Sequence, residues 1–325
     1  MDNKTQAELY ASVAQEASAV VIRRYSSSFS LATRLLEKPV RRHVENIYAL
    51  VRIADEIVDG ASAGCGSEPQ AIRRCLDRLE REALDAAAGA YSSNLVVHSF
   101  GLTAAATGIG PELIRPFFAS MRTDLDRSAH STASFDEYVY GSAEVVGLMC
   151  VRAFLLGRPV AQERVARLDA GARRLGAAFQ KVNFLRDLAD DYQDLGRSYF
   201  PGVAVDGFSE AQKHELLDGI EADLSAAAAA IPDLPAGSKT AVAAVHALFA
   251  ELARRLRRTP AQELLTRRVG VPDRAKLRLV AQVWCSQLPR PLLRRRVDHP
   301  RPGLHAPVQR LRQLPPVAAL LRSHR

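Results

Sequence analysis

Apolar residues recur at spacings of three and four from one end of the chain to the other, while the strict alternation of a half-buried strand hardly occurs. In ENIYALVRIADEIVDG the apolar set is Ile47, Leu50, Val51, Ala54, Ile57 and Val58, the pattern of a helix with one face in a core. Leu175, Ala178, Phe179, Val182, Leu185 and Ala189 repeat it in GARRLGAAFQKVNFLRDLADDYQDLG. The spacing predicts helices near 6–24, 39–60, 68–88, 94–107, 111–127, 135–156, 161–194, 209–231, 236–256 and 273–287. Gly, Pro and Ser clusters at 60–67, 107–111, 157–159, 196–202 and 232–237 punctuate them. No fixed-period repeat and no long linker interrupts this series. The expectation is an all-α protein with one helical domain over 1–287, followed by an irregular Arg/Pro-rich basic tail over 288–325.

The polar positions beside those apolar faces carry the chemistry. In helical projection Tyr48, Arg52, Asp55 and Asp59 fall within a wedge of about 60° bordering the first apolar face. Asp55 and Asp59 stand one turn apart, where like charges cost a helix roughly 0.2–0.5 kcal/mol unless something lies between them. A divalent cation reverses that sign, and magnesium is bound by one or two carboxylates together with substrate phosphates. On the second helix Gln180, Asn183, Asp187 and Asp191 share one flank within about 80°, with Arg186 and Asp190 just to its core side. Asn supplies a neutral oxygen and Arg binds phosphate bidentately, so this stripe too suits a cation with an anionic ligand. The plain alternative is a solvated helix end laced with ion pairs, which accounts for Arg186 and Asp190. It does not account for Asp187, Asp190, Asp191 and Asp194 crowded near a helix C-terminus, where the macrodipole disfavours each exposed anion by about 0.3–1 kcal/mol. Local penalties of this kind mark function.

Composition narrows the field. With 325 residues, 47% of them apolar, the chain can bury a sizeable core. No uninterrupted apolar run reaches the roughly 18 residues of a membrane span, and the start lacks a basic segment followed by an apolar one. A cytoplasmic location is expected. Cys65, Cys75, Cys150 and Cys285 form no CxxC pair and no His/Cys cluster, so neither a zinc site nor a disulfide framework is expected. The net charge of +8 resides in residues 285–325, where nine arginines face one acid, Asp298; the remainder is neutral. That distribution argues against a nucleic-acid partner. Two readings of the tail stand side by side: peripheral contact with an anionic membrane, to which Leu311, Leu314, Val317, Leu320 and Leu321 would add a small apolar face, or a solvated extension, since Pro315–Pro316 interrupts any helix there. A helical binding module whose basic tail docks on nucleic acid or acidic lipid is the non-enzyme alternative.

Four segments in order, RYSSSFSLATRLL, YALVRIADEIVDG, YVYGSAEVVGLM and FQKVNFLRDLADDYQDLGRSYFP, resemble the phytoene/squalene synthase family over roughly residues 18–285, most of all its bacterial carotenoid branch. The resemblance implies an isoprenoid-synthase-type helical bundle around a central apolar cavity, with two acidic motifs facing each other across it. It implies that Asp55, Asp59, Asn183, Asp187 and Asp191 hold Mg²⁺, or alternatively Mn²⁺, against prenyl diphosphates. Asp55, Asp59, Asp187 and Asp191 would then be catalytic, and Tyr48, Arg52, Gln180 and Arg186 would contact the diphosphates and their surroundings. Tyr25, Ser26, Ser27 and Ser28 match the segment that closes over a diphosphate, while Tyr138 and Gly147 match a YxYGxAxxVG pattern whose small residues let prenyl chains run near the backbone.

The implied reaction is head-to-head condensation of two allylic diphosphates through a cyclopropylcarbinyl diphosphate. From C20 units it gives phytoene, the expected product; C15 units give dehydrosqualene, or squalene if NADPH supplies hydride. NADPH is not expected here. No sequence feature fixes a proton acceptor: the departing diphosphate is the candidate base, and Tyr138 or Tyr140 would only steer the cation. Chain-elongating prenyltransferases and terpene cyclases of the same fold usually carry DDxxD where this chain reads DEIVD. One departure from the family pattern is HALFAELARRL, which places Leu248 or Phe249 where a tyrosine is common. The Arg/Pro tail is another.

Overall fold

A computed structural model of the chain describes residues 5–127, 129–189, 199–203 and 207–287, without the side chains of Ala63 and Gln287. These residues lie within one compact unit, Met1–Leu288. Among them the regular elements are helices. In chain order they are α1 Gln6–Tyr25, α2 Ser27–Thr33, α3 Lys38–Val58, α4 Ala61–Gly64, α5 Pro69–Ala87, α6 Leu95–Thr107 and α7 Pro111–Asp126. Then follow α8 Thr132–Val139, α9 Val145–Leu155, α10 Gln162–Arg186, α11 Glu210–Ala230, α12 Ala236–Arg258, α13 Ala261–Leu264 and α14 Asp273–Gln287.

Local chemistry explains several boundaries. Thr5 and Glu8 form a capping box at the start of α1, as Ser209 and Gln212 do for α11, and Asn94 accepts from two backbone N–H groups at the start of α6. Gly108 stops α6 in the left-handed conformation at φ 73°. Ser26 ends α1 and begins α2, its hydroxyl accepting from the Phe29 N–H.

Two predicted helices turn out otherwise. The 135–156 helix begins at Thr132 and is interrupted by a π-helical turn, Tyr140–Glu144. A side chain on Gly141 would strike Ser120 Oγ and the Pro116 carbonyl, so glycine lets α7 press against the widened turn. Such π-turns sit disproportionately at functional sites. The 161–194 helix ends at Arg186, with Asp187 in the cap position at φ −98° and ψ 9°. Leu188 and Ala189 are helical again beyond this break, and 190–194 lie outside the described residues.

Two apolar cores flank the centre. In the first, α3, α5, α6, α7 and α9 bury Ile47, Leu50, Leu76, Phe100, Ile114, Phe117, Phe118 and Met149. In the second, α8, α10, α11 and α12 bury Val182, Leu185, Leu217, Ile220, Leu252 and Leu256. Thr132–Leu155 is long and apolar enough to cross a membrane, yet 61% of its apolar window is buried against these cores, as a central helix of a bundle would be. Glycines allow α10 to approach α9 and the π-turn: a Cβ on Gly147 would lie 2.7 Å from the Ala172 carbonyl oxygen, and one on Gly176 2.6 Å from that of Ala143. Gly147 therefore serves helix packing as well as lining the cavity described next.

Candidate active site

Where the two cores meet, α3 and α10 present their polar stripes to a common cavity of about 340 Å³. Tyr48, Arg52, Asp55 and Asp59 reach it from α3, and Gln180, Asn183, Arg186 and Asp187 from α10. Tyr138, from α8, and Ser142, in the π-turn, also line it. Of the residues expected from sequence to bind metal or substrate, Asp191 falls outside the described residues. A second, apolar cavity of about 290 Å³ adjoins the first, and Tyr48, Val51, Ser142, Gln180 and Asn183 belong to the walls of both. Its remaining wall is almost wholly aliphatic, with Ile47, Val146, Phe154, Leu168 and Ala241 among the contributors.

The polar cavity is strongly charged and incompletely satisfied. Asp59 and Asp187 occupy the C-caps of α3 and α10, their N–H groups bonded to the carbonyls of Asp55 and Asn183. Carboxylates placed at helix C-termini need cations nearby. Arginines supply them: Arg52 Nη1 lies 2.6 Å from Asp55 and its other terminal nitrogen pairs with Glu56. Arg186 Nε bonds Asp187 at 2.8 Å, and Arg268 Nε approaches the same carboxylate to 2.6 Å from 81 residues further along. Burial works against the Arg52 charge, but Asp55 and Glu56 outweigh it and hold the guanidinium more firmly protonated than usual. Burial also raises the pKa of the Tyr48 phenol, against the opposing effects of Arg52 and a hydrogen bond with Ser26.

Three buried polar atoms on these walls, Arg52 Nε, Ser142 Oγ and Asn183 Oδ1, have no hydrogen-bond partner. Buried polar groups are normally satisfied, so a donor, a hydroxyl and an acceptor left open in one cavity indicate a ligand. Among the described residues no three His, Cys, Asp or Glu side chains converge as a closed metal cage. The donor set is nonetheless oxygen-only, carboxylates on one wall and Asn183 with Asp187 on the other. That suits a hard cation completing its shell with ligand oxygens.

The serine segment makes contacts of its own. Tyr25, half exposed, lays its ring 4.5 Å from the Arg52 guanidinium carbon. Ser26 is committed to the α2 cap and to Tyr48, and Ser27 accepts from Lys276 Nζ at 2.8 Å. None of Ser26, Ser27 and Ser28 lines the polar cavity. Tyr140 does not line it either; Arg173 covers its ring at 5.2 Å. In α12, Leu248 and Phe249 are buried, and Phe249 stacks on Phe179 with centroids 3.9 Å apart. Sequence reasoning missed Arg268, Ser142 and Tyr199 as cavity residues. Arg268 lies in a loop with no local period, whereas Tyr199 stands within the fourth matching segment.

An all-helical bundle with an arginine-lined acidic cavity opening into an apolar one defines a protein built for ligands that join an anionic head to a hydrocarbon chain. Residues 22–275 match the squalene/phytoene synthase family, and the chain belongs to that family of prenyltransferase-type enzymes. It is 34% identical over 204 residues to phytoene synthase 3, chloroplastic, of Zea mays, a match covering 61% of this chain but only 45% of the maize protein. It is 28% identical over 279 residues to the 15-cis-phytoene synthase of a Paracoccus species, covering 81% of this chain and 88% of that one. The crystal structure of a dehydrosqualene synthase in complex with ligand shares the fold at a TM-score of 0.71 and 24% identity, covering 85% of this chain and 97% of that chain.

Proposed function

We propose that the protein is a phytoene synthase, condensing two geranylgeranyl diphosphates head to head through prephytoene diphosphate with release of diphosphate. The observation that carries this reading is the junction of the two cavities, where Arg52 Nε, Ser142 Oγ and Asn183 Oδ1 stand open between an acidic, arginine-lined space and an aliphatic one. Depth favours a long prenyl chain. Leu168 precedes Asn183 by 15 residues of one helix, about 22 Å at the α-helical rise, and both line the apolar cavity. Four isoprene units in extended form need that reach.

Asp55, Asp59, Asn183, Asp187 and Asp191 would hold Mg²⁺. Bound there, the metal would neutralise the diphosphate charge that grows as the allylic C–O bond breaks. The chain's own cations act alongside it: Arg52, Arg186 and Arg268 now rest on Asp55, Glu56 and Asp187, and each is placed to exchange a carboxylate for a diphosphate oxygen. The carboxylates released by that exchange, Asp55 and Asp187, would then be open to hold the metal. Head binding and metal binding are thereby coupled. The aliphatic wall holds the chains and keeps water from an allylic cation, which would otherwise be captured as an alcohol.

The alternative within the family is a squalene or dehydrosqualene synthase using farnesyl diphosphate. Incubation with Mg²⁺ and either C15 or C20 diphosphate, with and without NADPH, decides between them: phytoene from the C20 substrate, unaffected by NADPH, is expected. A C30 product made in preference, or a saturated central bond formed only with NADPH, would reassign the enzyme. The nine-arginine tail is proposed to bring it to anionic membrane, where substrate and product dissolve. Equal sedimentation of full-length protein and a 1–287 truncation with anionic vesicles would remove that role.

A further inference from the structure

Asp124, in the last turn of α7, is 7% exposed. A carboxylate there carries a desolvation cost and faces the negative end of a helix, a cost its partners offset. Two tyrosines converge on it. Tyr138 Oη donates to Asp124 Oδ2 at 2.8 Å, and Tyr199 Oη donates to Oδ1 at 3.3 Å. Both tyrosines line the polar cavity, whereas Asp124 does not; one phenol separates the carboxylate from the ligand space. The arrangement is rigidly packed: Tyr199 stacks on Phe184 with centroids 4.0 Å apart and planes within 9°, and the His130 ring lies 4.9 Å from that of Tyr138.

We propose that Asp124 is a positioning residue for proton removal, acting through Tyr138; the proposal rests on the carbocation chemistry of the preceding section. Because Tyr138 spends its one proton on Asp124, its oxygen is left to offer lone pairs to the cavity. A neutral phenol is a poor base and cannot keep a second proton. It can take one from the substrate cation only if its own proton leaves in the same event, and Asp124 is 2.8 Å away to receive it. The substrate C–H bond breaks, its electron pair forms the new C=C bond, and the proton joins Tyr138 Oη as the original phenolic proton passes to Asp124 Oδ2. The cation becomes a neutral alkene, the carboxylate becomes a carboxylic acid, and the tyrosine is unchanged. Burial, with the Asp124 charge adding to it, pushes the Tyr138 phenol well above its ordinary range, so the residue does not wait as a phenolate. Tyr199 holds the other carboxylate oxygen and keeps Oδ2 aimed at Tyr138.

The test uses the full chain with Mg²⁺ and geranylgeranyl diphosphate, following diphosphate release and the partition of products between hydrocarbon, alcohols and the cyclopropyl intermediate. In Asp124→Asn, hydrocarbon formation is expected to fall at least about tenfold more than diphosphate release, the missing product appearing as alcohol or intermediate. Adding Asp124→Asn to Tyr138→Phe should lower the hydrocarbon fraction no further. A merely structural Asp124 would lower both rates together, with a reduced melting temperature and the wild-type partition; that result overturns the proposal. Should Asp124→Asn fail to fold by circular dichroism, Tyr138→Phe alone decides, since an unaltered partition in that variant also overturns it. Wild-type protein that releases no diphosphate refutes the functional reading itself, a separate result from an unaltered partition.

Discussion

Replacing Arg268 with glutamine tests the exchange of partners on which the proposed site depends. Arg268 is 58% exposed at its side chain and its Asp187 partner 19%, with Nε and Oδ1 2.6 Å apart. A pair this open to water contributes at most about 1 kcal/mol to stability, so the melting temperature should move by a few degrees or less. Catalysis should respond more strongly. A hydrogen bond from a charged donor to diphosphate is worth about 1.5–3 kcal/mol, which corresponds to a loss of roughly 10–150-fold in kcat/KM. Metal binding should change in the opposite direction: with one arginine removed, Asp187 is freer to coordinate, and Mn²⁺ added without diphosphate should bind more tightly, as read by the free-ion EPR signal. Adding inorganic diphosphate should then tighten Mn²⁺ binding less in the variant than in wild type. If Arg268→Gln binds Mn²⁺ more weakly in the absence of diphosphate, or keeps wild-type kcat/KM, the exchange does not occur and the arginine is a surface ion pair.

Three further outcomes follow from the same geometry. Asp55→Asn and Asp187→Asn should each lower turnover at least about a hundredfold while leaving the helical circular dichroism intact, since both side chains face the cavity and not a core; near-normal turnover would remove them from the metal site. Ala241 is 4% exposed on α12 and lines the apolar cavity, so Ala241→Phe should shorten the cavity and shift the kcat/KM ratio toward the C15 substrate by about tenfold or more, at an overpacking cost of about 1–3 kcal/mol. His43, hydrogen-bonded to Thr103, has its pKa lowered by burial first and by Arg42 second. The unfolded chain therefore binds the proton before the native state does, and the contribution, present above the unfolded value near 6.5, is lost as pH falls through the folded one. His43→Gln should lose less melting temperature than wild type between pH 7.5 and 5.5; an equal loss would place the acid sensitivity elsewhere.

The α3 stripe was legible because everything that makes it lies within three turns of one regular helix: Tyr48, Arg52, Asp55 and Asp59 share a wedge by period alone, and all four line the cavity. Gln180, Asn183 and Asp187 were legible for the same reason. The break after Arg186 was not, since the apolar period runs on through Leu188 and Ala189, and no periodicity connects Asp187 to its partner Arg268. The π-turn was hidden likewise, and the close packing of Gly141 within it involves Pro116 and Ser120 of another helix. Ser26 shows a different limit. The hydroxyl of a serine in such a position also caps the next helix, here accepting from the Phe29 N–H, and no period in the sequence discloses that. The α2 helix that Ser26 caps has only seven residues, too few to display an apolar period. Local repetition thus disclosed which helices carry charge toward a core, while the partners that hold those charges in place come from distant loops and turns. Asp124 belongs to the second kind: on α7 it reads as one more acid near a helix end, and only the arrival of Tyr138 and Tyr199 from two later segments sets it one phenol away from the chemistry.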